Sequence, residues 1–123
     1  MAKASIQPWL TVRSVEHAIR FYTAAFDAQE IYRLDSPEGS VVQLSVNDAQ
    51  FWLSSGSDIE ENRSLQSNNI RMILVVEQVE DIFNKAIKAG GKLISPVTED
   101  HGWITGRIED PFGMHWEIAK QTN

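Results

Sequence analysis

The segment Leu10-Thr11-Val12-Arg13-Ser14-Val15-Glu16 returns about half a chain later as Leu74-Val75-Val76-Glu77-Gln78-Val79-Glu80. Each copy joins an apolar run typical of a strand to the start of an amphipathic helix. The pattern predicts strands at 6–12 and 71–76, and helices at 15–28 and 79–89. Ser14 is a suitable N-cap for the first helix, and Gly90-Gly91 a suitable end for the second. The repeat therefore predicts two similar modules in tandem.

Three further strands are predicted after each helix. They lie at 30–34, 41–46 and 50–54 in the first module, and at 92–96, 104–108 and 114–119 in the second. Turn residues separate them, as in Ser36-Pro37-Glu38-Gly39 and Asn47-Asp48. We therefore predict an α+β fold of two tandem βαβββ modules in one domain, residues 1–123. Module one covers about 5–55, a polar linker about 56–69, and module two about 70–120.

The last predicted strand follows the turn Asp110-Pro111-Phe112-Gly113. Pro111 restricts the backbone, and Gly113 allows a conformation that other residues resist. Strand alternation then places His115 and Glu117 on one face, and Met114, Trp116 and Ile118 on the other. A carboxylate on an inward face needs a cation or a ligand as partner. The functional interpretation therefore depends on what Glu117 contacts.

Composition restricts the class of protein. The 123 residues, 42% of them hydrophobic, suffice for one domain with a core. A formal charge of −6 argues against nucleic-acid and anionic-membrane partners and suits a cationic ligand. There is no cysteine and no apolar run near the roughly 18 residues of a membrane span, so we expect a soluble, cytoplasmic protein. Phosphate-loop, dinucleotide and serine-hydrolase motifs are also missing from the sequence.

The chain resembles the vicinal oxygen chelate superfamily, which groups glyoxalase I, bleomycin-resistance proteins, fosfomycin-resistance enzymes and extradiol dioxygenases. The resemblance rests on the duplicated pattern, Phe21-Tyr22, Ala89-Gly90-Gly91, and the Asp110–Gly113 turn before Glu117. Residues 103–116 are most similar to small glyoxalase-like and PhnB-like members. The resemblance implies a curved mixed sheet around a cavity, commonly completed by a second chain in a homodimer. Val41 and Val42, as candidate apolar edge residues, would support such a dimer.

The resemblance also implies four inward positions that hold a metal in active members. In this chain they fall on Gln7, Arg71, Glu117 and Trp52, or on Leu53 if the register slips by one residue. Glu117 alone is a conventional metal ligand, and an arginine brings a permanent positive charge to the site. We therefore expect no metal cofactor and predict that Arg71 forms a charge-assisted pair with Glu117.

The candidate ligand-binding residues are Gln7, Trp9, Trp52, Arg71, Trp103, His115 and Glu117. Trp9 and Trp52 fit either an aromatic pocket wall or the plain core, whereas Trp116 is expected in the core. Trp103 lies next to a predicted loop. His115 fits either a general base or a histidine with no catalytic role.

Three functions remain open. The first is a metal-free dimer that binds a small aromatic or polar molecule. The second is a metal-dependent glyoxalase-like lyase or isomerase, or an extradiol-type dioxygenase. It would hold one divalent metal at Glu117 with Gln7 and either His115 or His101, and Glu117 and His115 are the catalytic candidates. Metal-dependent catalysis is disfavoured, because only one of the four usual ligand positions holds a conventional ligand. The third is a fold that serves assembly alone.

Overall fold

A computed structural model describes residues 4–55 and 70–122. The predicted linker, with Glu60 and Glu61, lies outside these ranges. The described part contains two helices, α1 (Val15–Phe26) and α2 (Val79–Lys88). Its eight strands are β1 (Trp9–Val12), β2 (Gln29–Ser36), β3 (Gly39–Val46), β4 (Ala49–Ser55), β5 (Arg71–Val75), β6 (Lys92–Asp100), β7 (Trp103–Glu109) and β8 (His115–Gln121). Neither of these helices has the length and apolar character needed to cross a membrane.

The strands form two four-stranded mixed sheets with the same internal order. The first sheet runs β1-β4-β3-β2 and the second β5-β8-β7-β6. In each, the first and last strands of the module pair in parallel, and the other pairs are antiparallel. The α+β class and the repeated strand-helix-strand-strand-strand order are thereby confirmed. Residues 4–23 and 27–55 form one compact unit, and 24–26 with 70–122 form a second.

The core of the first unit lies between α1 and one face of its sheet. Leu44 and Leu53 are fully buried there, and the ring of Tyr22 meets Phe51 edge to face at 5.2 Å. Val42 is also fully buried, and β3 is flanked by β4 and β2. The prediction that Val41 and Val42 lie on a sheet edge is therefore wrong, because β3 is an interior strand.

In the second unit α2 covers the corresponding face. Ile108, Trp116 and Ile118 are buried there, as alternation predicted for Trp116 and Ile118. Gly106 lies opposite α2, and a Cβ at this residue would come within 2.8 Å of the Phe83 ring and of Val97 Cγ2. The missing side chain lets helix and sheet approach closely. Phe26, in the last turn of α1, packs its ring 4.8 Å from that of Trp116.

Two of the predicted boundaries in the first module that differ from the structure have a clear physical cause. β1 begins at Trp9 and not at residue 6. Pro8 accepts a hydrogen bond from Trp52 N at 2.8 Å, but it has no N–H with which to continue the ladder. Helix α1 ends at Phe26, two residues early, because Asp27 adopts a left-handed φ of 62° and donates its N–H to Thr23 O. The predicted N-cap is confirmed, since Ser14 Oγ accepts from His17 N at 3.1 Å.

Strand β6 is longer than predicted. It runs to Asp100, past its predicted end at residue 96, although proline usually ends an interior strand. β6 is an edge strand, however, and its pairing with β7 shifts register between Leu93 and Ser95 and again between Ser95 and Thr98, the interval that contains Pro96. An edge position with irregular pairing tolerates the missing N–H.

The turn before β8 is organised by Asp110, which is 3% exposed. One carboxylate oxygen, Oδ1, accepts from Phe112 N and Met114 N, and the other, Oδ2, accepts from Trp116 Nε1, each at 2.9 Å. Gly113 has a φ of 91°, which favours glycine. Asp110 thus ties the turn to a core tryptophan and sets the start of the strand that carries Glu117.

We expect Asp110→Ala to lower the free energy of unfolding by at least about 2 kcal/mol, because it removes the acceptor of three hydrogen bonds and leaves buried donors unpaired. Chemical denaturation measures this change. Asp100→Ala is the matched control, since that side chain is 76% exposed, and we expect it to change stability by less than about 0.5 kcal/mol. Equal losses in the two variants would contradict the role assigned to Asp110.

Candidate functional site

Each sheet packs one face against the helix of its own unit. The opposite face, which that helix does not cover, we call the open face. In the first unit the open face carries Trp9 and Thr11 of β1, Gln50, Trp52 and Ser54 of β4, Gln43 of β3, and Tyr32 of β2. In the second it carries Arg71, Ile73 and Val75 of β5, His115, Glu117 and Ala119 of β8, and Trp103, Thr105, Arg107 and Glu109 of β7.

Aromatic rings form a row across the first open face. The rings of Trp9 and Trp52 stack at 5.9 Å with an interplanar angle of 16°, and Tyr32 meets Trp52 edge to face at 5.8 Å. Trp9 is 54% exposed, whereas Leu53 is fully buried on the helix side. The register therefore places Trp52, and not Leu53, on the open face, and neither tryptophan is a plain core residue.

Amide side chains hold the edge of this aromatic row. Gln7 Oε1 accepts from Trp52 Nε1 at 2.8 Å and from Gln43 Nε2 at 3.1 Å. Gln50 Oε1 accepts from Gln43 Nε2 at 3.0 Å and from Gln7 Nε2 at 3.2 Å. At the other side of the row, Trp9 Nε1 donates to Ser54 Oγ at 2.9 Å. Gln7 precedes β1, yet these bonds orient its side chain toward Trp52.

Charged side chains take the equivalent place on the second open face. Arg71 Nε lies 3.5 Å from Glu117 Oε2, with the two side chains 44% and 25% exposed. The predicted contact between these residues is confirmed. Its distance is longer than the roughly 2.7–2.9 Å of a charge-assisted hydrogen bond, so it is an ion pair in partial contact with solvent.

The remaining predicted residues of this module are less closely grouped. His115 lies on the same face as Glu117, as predicted, with Nε2 at 4.0 Å from Glu109 Oε1. Trp103 is the first residue of β7, is 37% exposed, and lies two open-face positions beyond Arg107. His101 is in the β6–β7 turn, where its side chain is 91% exposed beside Asp100. The structure therefore does not bring His101 to the open face.

Sequence reasoning missed Arg107 and Gln43. Arg107 pairs directly with Glu117 across the β7–β8 ladder, and Gln43 pairs with Trp52 across β3–β4. Directly opposed residues in an antiparallel pair share a face, with Cβ atoms about 5 Å apart. Aligning the predicted strands around the Asn47-Asp48 and Asp110–Gly113 turns would have revealed both residues.

The two modules place corresponding side chains at corresponding points. Trp52 opposes Trp9 on β1, and Glu117 opposes Ile73 on β5. Gln7 and Arg71 each lie two residues earlier, and each contacts its module's last strand, at Trp52 or Glu117. Gln43 and Arg107 are likewise equivalent. One module thus carries a neutral amide network where the other carries charges.

These residues do not fit a metal centre. Of the four inward positions, Glu117 supplies a carboxylate, Gln7 an amide, Arg71 a cation and Trp52 an indole. Among the described residues no three His, Asp or Glu side chains are grouped closely enough to hold a metal ion. A divalent cation at Glu117 would also meet the guanidinium of Arg71 at close range.

A second charged cluster is a surface feature of the first unit. Arg33 contacts Glu30 at 2.9 Å, Glu16 at 3.1 Å and Asp35 at 3.4 Å. The hydrogen bond from Arg33 lowers the pKa of Glu30, and a hydrogen bond from Ser40 is the main cause of the lowered pKa of Asp35. The acidic partners raise the pKa of Arg33 in turn. The carboxylates are satisfied by their own module, so this cluster is an ion-pair network.

A groove of about 370 Å³ lies between the start of α2 and strands β6 to β8. Its lining includes Glu77, Glu80 and Glu99 together with Lys120. Lys120 Nζ is 3.1 Å from Glu77 Oε1, so its charge is already paired. None of the predicted site residues lines this groove.

Known proteins with similar sequences and folds span most of this chain. An uncharacterized protein of Mycobacterium tuberculosis is 29% identical over 126 residues, covering 94% of this chain and 74% of its own length. A glyoxylase/bleomycin resistance protein/dioxygenase domain from Frankia superimposes with a TM-score of 0.79 at 18% identity, over 98% of this chain and 93% of its own. The fosfomycin resistance protein FosX of Listeria monocytogenes superimposes with a TM-score of 0.76 at 14% identity, over 99% and 96%.

A match to a sequence profile identifies the family to which the chain belongs. The profile of one superfamily matches residues 4–118, which include both modules and every candidate site residue. The chain therefore belongs to the Glyoxalase/Bleomycin resistance protein/Dioxygenase superfamily.

Proposed function

We propose that this protein is a cytoplasmic, metal-free, dimeric binding protein for a small aromatic or polar molecule. The observation that carries the proposal is the ion pair between Arg71 and Glu117 at 3.5 Å. These residues occupy two of the positions from which active members of the superfamily take metal ligands. The pair satisfies the carboxylate with a protein cation and leaves it without need of a metal.

The physical reason is the permanent charge of arginine. A guanidinium stays protonated in proteins and has no lone pair to donate to a metal. A divalent ion at Glu117 would have to displace Arg71 or accept its repulsion. With Gln7 engaged by Trp52 and Gln43, the equivalent position in the first module does not supply a strong ligand either.

Ligand binding is supported by the first open face. Trp9 and Tyr32 are 54% and 48% exposed, although aromatic rings of this size usually favour burial. Stacked, half-exposed rings beside fixed amides suit a flat molecule that needs both an apolar surface and hydrogen bonds. Trp103, His115 and Glu117 offer a second set of contacts on the other module's open face.

Dimer formation is supported by exposed apolar side chains on edge strands. Ile31 and Leu34 of β2 are 48% and 54% exposed, and Leu93 of β6 is 52% exposed. Apolar edge strands favour association with another chain. Light scattering coupled to size-exclusion chromatography should give twice the 13.9 kDa of one chain; the mass of a single chain would remove this part of the proposal.

We expect added Mn²⁺, Ni²⁺, Zn²⁺ or Fe²⁺ to raise the melting temperature of the wild-type protein by less than about 1 °C. A true site at a hundredfold excess over its dissociation constant would raise it by on the order of 10 °C. Arg71→His, which adds an imidazole beside Glu117 and His115, should respond more strongly than Arg20→His, a control on the exposed side of α1. Stoichiometric metal in the purified protein, with clear stabilisation, would contradict the proposal.

A double-mutant cycle tests the ion pair between Arg71 and Glu117. With Arg71→Met and Glu117→Gln we expect a coupling free energy of about 0.5–1 kcal/mol, since the pair is partly exposed to solvent. The coupling should shrink in 1 M salt because the charges are then screened. Chemical denaturation of the four proteins gives the value, and zero or repulsive coupling would remove the pair as an explanation for Glu117.

A further inference from the structure

Arg107 is a cation on the second open face, and one of its donors has no hydrogen-bond partner. Its Nε is buried and has no hydrogen-bond partner within the described ranges 4–55 and 70–122. It lies directly opposite Glu117 in the β7–β8 ladder. A buried donor of a charged group is normally paired, because water cannot reach it. The unpaired Nε therefore indicates that an acceptor is missing from this face.

Comparison of the modules explains why Arg107 is unpaired. The equivalent residue, Gln43, donates to Gln7 at 3.1 Å and to Gln50 at 3.0 Å. In the second module the counterpart of Gln7 is Arg71, which cannot accept a hydrogen bond.

The two carboxylates of this face already have other neighbours. Glu117 is 3.5 Å from Arg71, and Glu109 is 4.0 Å from His115. Among the described residues, no acceptor lies within hydrogen-bond distance of Arg107 Nε. An acceptor supplied by a bound molecule would complete the arrangement.

We propose that Arg107, assisted by Arg71, binds an anionic oxygen group of the ligand, either a carboxylate or a phosphoryl group. This inference rests on the proposed function and narrows its ligand class. A guanidinium offers forked donors that match both kinds of oxyanion. Arg71 lies on the far side of Glu117 from Arg107, so it adds a second positive charge to the same end of the face.

The rest of the face specifies the body of the ligand. Ile73 and Val75 are 59% and 63% exposed on β5, next to Glu117 and Ala119. One end of the face is thus charged and the adjoining part apolar. This arrangement suits an anion that carries an apolar or aromatic body. The net charge of −6 favoured a cationic ligand. On this face, however, the group left without a partner among the described residues is a donor, Arg107 Nε, and a donor calls for an acceptor from the ligand.

The test uses four probes that share a benzene ring, on the 123-residue chain without added metal. Benzoate and phenyl phosphate carry the two oxyanions, benzamide is neutral, and benzylamine is cationic. Calorimetry measures their affinities for the wild type, for Arg107→Met and for Arg107→Gln, which copies the residue at the equivalent position of the first module. Arg20→Met is the control, since it removes the same charge from the exposed side of α1.

We expect the wild type to bind benzoate, phenyl phosphate or both, and to prefer them to benzamide and benzylamine. Both Arg107 variants should weaken anion binding by about tenfold or more, whereas Arg20→Met should not. Their melting temperatures should stay equal to that of the wild type or rise, because an unpaired buried donor is removed. A purely structural arginine would lower the melting temperature in both variants.

Three results would overturn the inference: no binding of either anion, equal anion affinity in all variants, or preference for benzamide or benzylamine. The last result would leave the proposed function intact, since a small aromatic molecule is then bound without metal. Stoichiometric metal uptake by the wild type would instead remove the proposed function. The two failures are therefore distinguishable.

Discussion

A single helix can cover only one of the two faces of a four-stranded sheet, and this constraint shapes both modules. Alternation along each strand divides the side chains into an apolar set, which packs against α1 or α2, and a second set on the open face. Because the second set does not pack against the helix, its residues need not be apolar. Under the proposed function its residues determine what the molecule can bind, and the core residues hold the face in place.

The duplicated architecture makes the chemistry of the two open faces comparable position by position. Gln7 contacts Trp52 in one module, and Arg71 contacts Glu117 in the other. Both contacts join the segment entering the first strand to the last strand of the module. In this chain that geometry joins an amide to an indole in the first module, and a guanidinium to a carboxylate in the second.

Much of this arrangement was predictable from the sequence. Periodicity and the internal repeat predicted the strand order, and alternation after Gly113 predicted the opposite orientations of Glu117 and Trp116. The edge assignment of Val42 failed because strand order within a sheet depends on contacts distant in sequence. The end predicted for β6 at Pro96 was too early, because an edge strand tolerates a residue without an N–H and an interior strand does not. Arg107 was missed because its importance comes from the cross-strand neighbour, which single-strand patterns do not reveal.

The central claim is that Arg71 takes the place of a metal ion at Glu117. The most direct test is an amide NMR spectrum of the protein titrated with one equivalent of Mn²⁺, whose paramagnetism broadens signals near any bound ion. The account predicts that the signals of Arg71 and of residues 115–119 keep their intensity. Selective loss of those signals at one equivalent would contradict it.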